Sequence, residues 1–145
     1  MKRIYLSLLL ALTIFVSSAY ASPDPNKEIQ ESFKKEFPNT KALAWIEVGD
    51  FMRATFLLDG QRTEAYFSED GILQGSVRYL FFSQLPLAVM KAVEKRYVDA
   101  DPLDVYEITN DEGTSYRITL ESQEKKYKIK VDANGNITQS DRLKK

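Results

Sequence analysis

Ile29, Phe33 and Phe37 recur every four residues, with Lys27, Glu28, Glu31, Lys34 and Lys35 filling the other side. That spacing gathers the apolar side chains into one stripe and predicts an amphipathic helix. Asp24 is placed to cap it, with Pro25 at its first position. Pro38 ends it, because a proline disfavours helical backbone at the residue before it, Phe37. The period then shortens to two. Strands are predicted at Leu43–Val48, Met52–Leu58, Thr63–Ser68 and Ile72–Leu80, broken by Gly49-Asp50, Asp59-Gly60 and Asp70-Gly71. A second helical stripe follows at Val89, Met90, Val93 and Tyr97, with Ser83 as its cap and Pro86 in its first turn. Strands near Leu103–Thr109, Ser115–Glu121, Lys125–Asp132 and Asn136–Arg142 complete the chain, with turns at Glu112-Gly113 and Asn134-Gly135.

The order helix, then four strands, occurs twice, at about 26–80 and 85–143. Phe33-x-x-x-Phe37 matches Val93-x-x-x-Tyr97, Met52–Phe56 matches Tyr116–Leu120, and Trp45–Val48 matches Val105–Ile108. Two copies are too few for a solenoid, so a pseudo-symmetric single domain is expected. In the second copy Tyr116, Ile118 and Leu120 share one strand face, as do Tyr127, Ile129 and Val131. Arg117, Thr119, Lys126, Lys128 and Lys130 lie on the opposite faces. Such alternation belongs to a sheet with one face packed and one wet. The expected fold is α+β: tandem α-β4 repeats forming an antiparallel sheet with both helices on one face. Tyr79-Leu80-Phe81-Phe82 joins the copies and is expected to pack between them, since four adjacent bulky apolar residues are costly to leave wet.

The first residues read as an export signal. Lys2 and Arg3 precede an apolar run, Ile4 to Val16, and Ala19-Tyr20-Ala21 suits cleavage before Ser22. The run is shorter than the roughly 20 residues of a membrane-spanning helix. No Cys follows it, which excludes a lipid-anchored lipoprotein. Cleavage leaves 124 of the 145 residues as a single domain, 22–145, and the absence of Cys means that packing alone must hold it. Of 20 basic residues two leave with the signal, and the remainder fall three short of the 21 acidic ones. That balance argues against nucleic acid or an anionic membrane as partner, and a bacterial periplasm is the expected compartment, with secretion as the alternative.

Chemistry is sparse. With no His and no Cys, Ser-His-Asp and Cys-His catalysis and the usual zinc ligand sets are excluded. Glu47 and Glu107 stand at matching places in the two copies, but two solvated strand carboxylates are the plainer reading. Asp132-x-Asn134-x-Asn136 begins like a calcium loop, yet Gly135 is fourth rather than sixth and Leu143 holds the twelfth place where Glu belongs. No cofactor is expected, and irregular calcium ligation near Asp70 and Asp132 is kept as the alternative. The expected functional surface is the open sheet face, with Trp45, Arg53, Tyr66, Arg117, Lys126 and Lys128 as candidate contacts, because aromatic residues and Arg dominate protein interfaces.

Phe37-Pro38, Trp45-Ile46-Glu47-Val48, the Asp-Gly turns and Leu85-Pro86-x-x-Val89 in an exported chain resemble the PepSY-like periplasmic proteins, related in fold to the β-lactamase inhibitor protein. The resemblance spans nearly all of the mature chain. It implies the same tandem α-β4 domain and a non-enzymatic role in binding or inhibiting another protein, or in calcium-linked regulation. It brings no catalytic residues. The absence of disulfides departs from the secreted inhibitor.

Overall fold

The computed structural model describes residues 23–143, so the export signal lies outside the described residues. Eight antiparallel strands follow one another in simple sequence order across one sheet. Helix α1 (Lys27–Glu36) precedes β1 (Ala44–Val48), β2 (Phe51–Leu58), β3 (Gln61–Ser68) and β4 (Leu73–Leu80). Helix α2 (Leu87–Arg96) precedes β5 (Asp101–Asn110), β6 (Gly113–Glu121), β7 (Lys126–Asp132) and β8 (Ile137–Leu143).

The helix starts differ from those expected. Asn26, not Asp24, caps α1: its Oδ1 accepts the Ile29 N–H at 2.9 Å, while its Nδ2 donates to Glu69 O at 2.7 Å. One side chain thus satisfies the helix start and ties it to the β3–β4 turn. Ser83 does not cap α2. It sits in a short 3-10 turn, Phe82–Gln84, and Pro86 occupies the cap position without a side-chain bond. Both helices end alike, the Phe37 N–H reaching Phe33 O and the Tyr97 N–H reaching Val93 O.

Two apolar clusters hold the helices to the sheet. Ile29 and Phe33 of α1 meet Ala54, Phe56, Ala65 and Phe67. This cluster is aromatic: the Phe33 ring lies 5.1 Å from Phe56, 5.4 Å from Trp45 and 5.5 Å from Phe37. Edge and tilted contacts of this kind add about 0.5–1.5 kcal/mol each beyond simple burial. Val89 and Val93 of α2 meet Val105, Tyr116, Ile118, Leu120, Ile129 and Val131, a mostly aliphatic set. The alternation read for β6 and β7 holds, with Ile118, Leu120, Ile129 and Val131 buried. The connecting apolar run divides instead of packing as a block. Leu80 and Phe82 join the α2 cluster, Tyr79 turns to the other sheet face, and Phe81 stays 70% exposed. Strand alternation separates neighbours, so four adjacent residues cannot share one interior.

Each helix's first turn is approached by a glycine. An added Cβ would lie 2.8 Å from Glu28 O at Gly71 and 2.6 Å from Ala88 O at Gly135, and both residues have positive φ. Gly60 has the same handedness (φ +78°) but open space around it. Gly135→Ala and Gly71→Ala are therefore expected to cost about 2–4 kcal/mol, against about 1 kcal/mol for Gly60→Ala, in urea unfolding. Equal losses at Gly60 and Gly135 would show that the close helix approach contributes nothing.

Candidate functional site

The sheet face turned away from α1 carries a built cluster. On β3 the side chains alternate, so Thr63, Ala65 and Phe67 pack inward while Glu64 and Tyr66 point the other way. Glu64 is nonetheless buried, its side chain only 6% exposed. Long neighbours cover it. Arg62 Nη2 donates to Oε1 at 3.2 Å and the Tyr79 hydroxyl donates to the same oxygen at 3.3 Å. The Tyr66 hydroxyl donates to Oε2 at 3.2 Å, and Arg53 Nη1 stands 3.6 Å from it. The Arg62 guanidinium also lies 5.2 Å from the Tyr79 ring centre.

This environment perturbs its members. Arg53 is pushed up from its usual range, chiefly by its hydrogen bond with Tyr66, with the Glu64 charge adding and burial opposing. Its Nε is buried and finds no partner among the described residues. Burial, and then the Glu64 charge, push the Tyr79 phenol above the usual 10.0.

Register extends the face across the sheet. Tyr79 pairs with Tyr106, Tyr106 with Arg117, Arg117 with Lys130 and Lys130 with Gln139. The Tyr79 and Tyr106 rings meet edge-on at 4.9 Å. Together with Glu64, Val77, Ile108 and Lys128, this row lines a groove of about 390 Å³. A second, more apolar hollow, lined by Val48, Phe51, Tyr66, Val77 and Ile108, continues it toward β1. A larger polar crevice of about 940 Å³ lies elsewhere, between the end of α2 and the β6–β7 turn.

Of the residues expected on this face, Arg53 and Tyr66 are there, committed to Glu64, and Arg117 and Lys128 line the groove. Lys126 shares their parity but is the first residue of β7, opposite Glu121 and Leu143, outside the groove. Trp45 does not belong to the face. It pairs with Ala54 and packs on Phe33 and Phe67, beneath α1. Glu64, Arg62, Tyr79 and Tyr106 went unrecognised. The β3 alternation placed Glu64 beside Tyr66, but its burial depends on cross-strand neighbours.

The carboxylates do not assemble a reactive pair. Glu47 is exposed on edge strand β1, whereas Glu107 on β5 is bound to Arg78 at 2.8 Å. Asp132 caps its own turn, accepting N–H groups of Asn134 and Asn136 at 2.9 Å and the Asn136 side chain at 2.7 Å, which lowers its pKa. These bonds commit Asp132 to holding its own turn. Among the described residues no cluster of three acidic side chains is placed to hold a metal, and no helix is long and apolar enough to cross a membrane.

No protein-family model matches the chain, and neither does any curated protein sequence. Solved structures do. A BLIP-like protein from Bacteroides fragilis superposes with a TM-score of 0.76 at 24% identity, over 85% of this chain and 89% of that one. A Bacteroides eggerthii protein provisionally described as periplasmic gives 0.74 at 19% identity, over 83% and 91%. A DUF2874 family protein from Bacteroides ovatus gives 0.76 at 18%, over 83% and 89%. At these identities what is shared is the fold, and it is the BLIP-like one. None of the three is an enzyme by description. A PepSY-like kinship is not among these findings.

The Glu64 cluster makes an alkaline prediction. Because Tyr79 holds its proton more tightly folded than unfolded, its contribution is complete below pH 10 and is lost as pH rises through the folded value. Glu64→Gln removes the negative neighbour, so Tyr79 should ionise at lower pH in an ultraviolet titration, and stability at pH 7 should fall by about 1–3 kcal/mol. An unchanged tyrosine titration in Glu64→Gln would refute the coupling.

Proposed function

We propose that this protein is an exported, non-enzymatic binding module that receives a protein partner on the sheet face turned away from α1. The observation that carries this reading is the groove. Tyr66, Tyr79 and Tyr106 stand with Val77, Ile108 and Arg117 on a face that no other segment among the described residues covers. Tyr and Arg anchors in a partly desolvated hollow are what protein interfaces are built on. Exposed Ile46, Val48, Phe51 and Leu57 lie on the same side of β1 and β2, enlarging the apolar part.

The architecture that would present this face is a tandem repeat with both helices behind it. Three observations support that arrangement. The pairs Thr63–Arg78, Arg78–Glu107 and Glu107–Tyr116 carry side-chain parity from the α1 cluster to the α2 cluster. Gly71 and Gly135 make the same approach to their helices. Register shifts fall at Tyr66/Phe67 and at Lys130/Val131, one strand before the last in each half. The signal-like first 21 residues and the provisional periplasmic description of one fold neighbour support a periplasmic location.

A photo-crosslinking residue in place of Tyr106, in the full exported chain in its own cells, is expected to yield one discrete adduct. The same residue at exposed Lys34 on α1 is expected to yield none. Purified protein should compete for the adduct, and its Tyr79→Ala form should compete about tenfold less well, the effect of losing an interface anchor. Equal adducts at the two positions, or none at 106, would overturn the reading.

A further inference from the structure

Two cations stand directly opposite each other on the groove floor. Arg117 and Lys130 are Cα partners on the same face of β6 and β7, and like charges so placed are destabilising. Among the described residues no ion pair joins either of them to a carboxylate; the pairs are Lys27–Glu31, Arg53–Glu64, Arg62–Glu64 and Arg78–Glu107. The groove holds two carboxylates. Glu64 is already bound by Arg53 and Arg62. Asp141 is opposite Lys128, and its Oδ2 accepts the Gln139 side chain at 2.6 Å. The floor around Arg117, Lys128 and Lys130 therefore keeps an excess of positive charge beside the Tyr79–Tyr106 edge-on pair. A repulsive pair retained at the centre of a sheet face is the kind of local conflict that marks a binding position.

We infer that Arg117 and Lys130 form a seat for one carboxylate side chain, Asp or Glu, of the protein partner, with an aromatic neighbour in the partner resting on Tyr79 and Tyr106. This rests on the face being the partner surface. A carboxylate accepts a two-pronged guanidinium bond and a Lys donor together, and its arrival converts repulsion into attraction. The charge complementarity is local. The whole chain is acidic, with a pI near 5.6, and Asp132 and Asp141 flank the row, so a polyanion such as nucleic acid or an anionic bilayer meets repulsion beyond the seat.

The blocked tetrapeptide Gly-Glu-Trp-Gly and its Gln-for-Glu counterpart, titrated to millimolar concentration into ¹⁵N-labelled protein at low salt, test the seat. The Glu peptide is expected to shift the Tyr106, Arg117 and Lys130 amides. It should bind about fivefold more tightly than the Gln peptide, an advantage that added salt and Arg117→Gln/Lys130→Gln both abolish. Without peptide, Lys130→Gln is expected to raise the melting midpoint by about 1–2 °C, since it removes an opposed charge. A lowered midpoint, absence of shifts with either peptide, or equal affinity for the two would overturn the seat. The face is judged separately. A Tyr106 crosslink that persists undiminished in Arg117→Gln/Lys130→Gln overturns the seat and leaves the face standing, whereas no crosslink in the parent chain overturns the face.

Discussion

Register is the constraint on which everything else in this molecule depends. Eight strands pair in sequence order, and side chains alternate along each, so the face of every residue follows from its partner on the next strand. A slip of one residue at any seam would exchange the two faces beyond it. Phe56, Ile118 and Val131 would enter water, and Glu64 would enter a core. The bulges respect this. Those at Tyr66/Phe67 and Lys130/Val131 sit beside tight turns, and the one between Pro102 and Asp104 leaves Leu103 half exposed at the start of β5. Each absorbs an extra residue at a strand end and leaves the long interior pairing intact.

Both faces set a carboxylate among donors, Glu64 buried on one and Glu107 half-buried on the other. Glu107 is held by Arg78 and by Tyr116, whose phenol burial and that carboxylate push up. Glu64 is held by Arg53 and Arg62 with Tyr66 and Tyr79. Losing one partner leaves the other charge buried and alone, which is why such pairs are sensitive to substitution even where their net contribution is small.

Much of this was legible in the sequence, and the failures share a cause. Turns announced by Gly71 and Gly135, helices announced by Phe33 and Val93, and the alternating faces of β6 and β7 are local patterns. Trp45 was misplaced because Ala44, Trp45 and Ile46 are all apolar, so β1 shows no alternation to read; only its pairing with Ala54 puts the indole under α1. Asp24 and Ser83 have the right chemistry for caps, but Asn26 and Pro86 stand where the helices begin. Glu64 was passed over because a charged strand residue is ordinarily exposed, and its cover comes from Arg53 and Tyr79 on the neighbouring strands.

The absence of disulfides sharpens the role of the middle of the sheet. The apolar clusters under α1 and α2 are separate, and the seam between them is the pairing of β4 with β5. On one side that seam carries the Arg78–Glu107 ion pair, and on the other the Tyr79–Tyr106 contact. Leu80 at the end of β4 reaches into the α2 cluster opposite Val105, so the two halves are joined by backbone hydrogen bonds, an ion pair, an aromatic pair and this one apolar contact. The groove lies over this seam, with Glu64 and Tyr66 from the first half and Arg117 and Lys130 from the second. Anything seated there touches both halves at once.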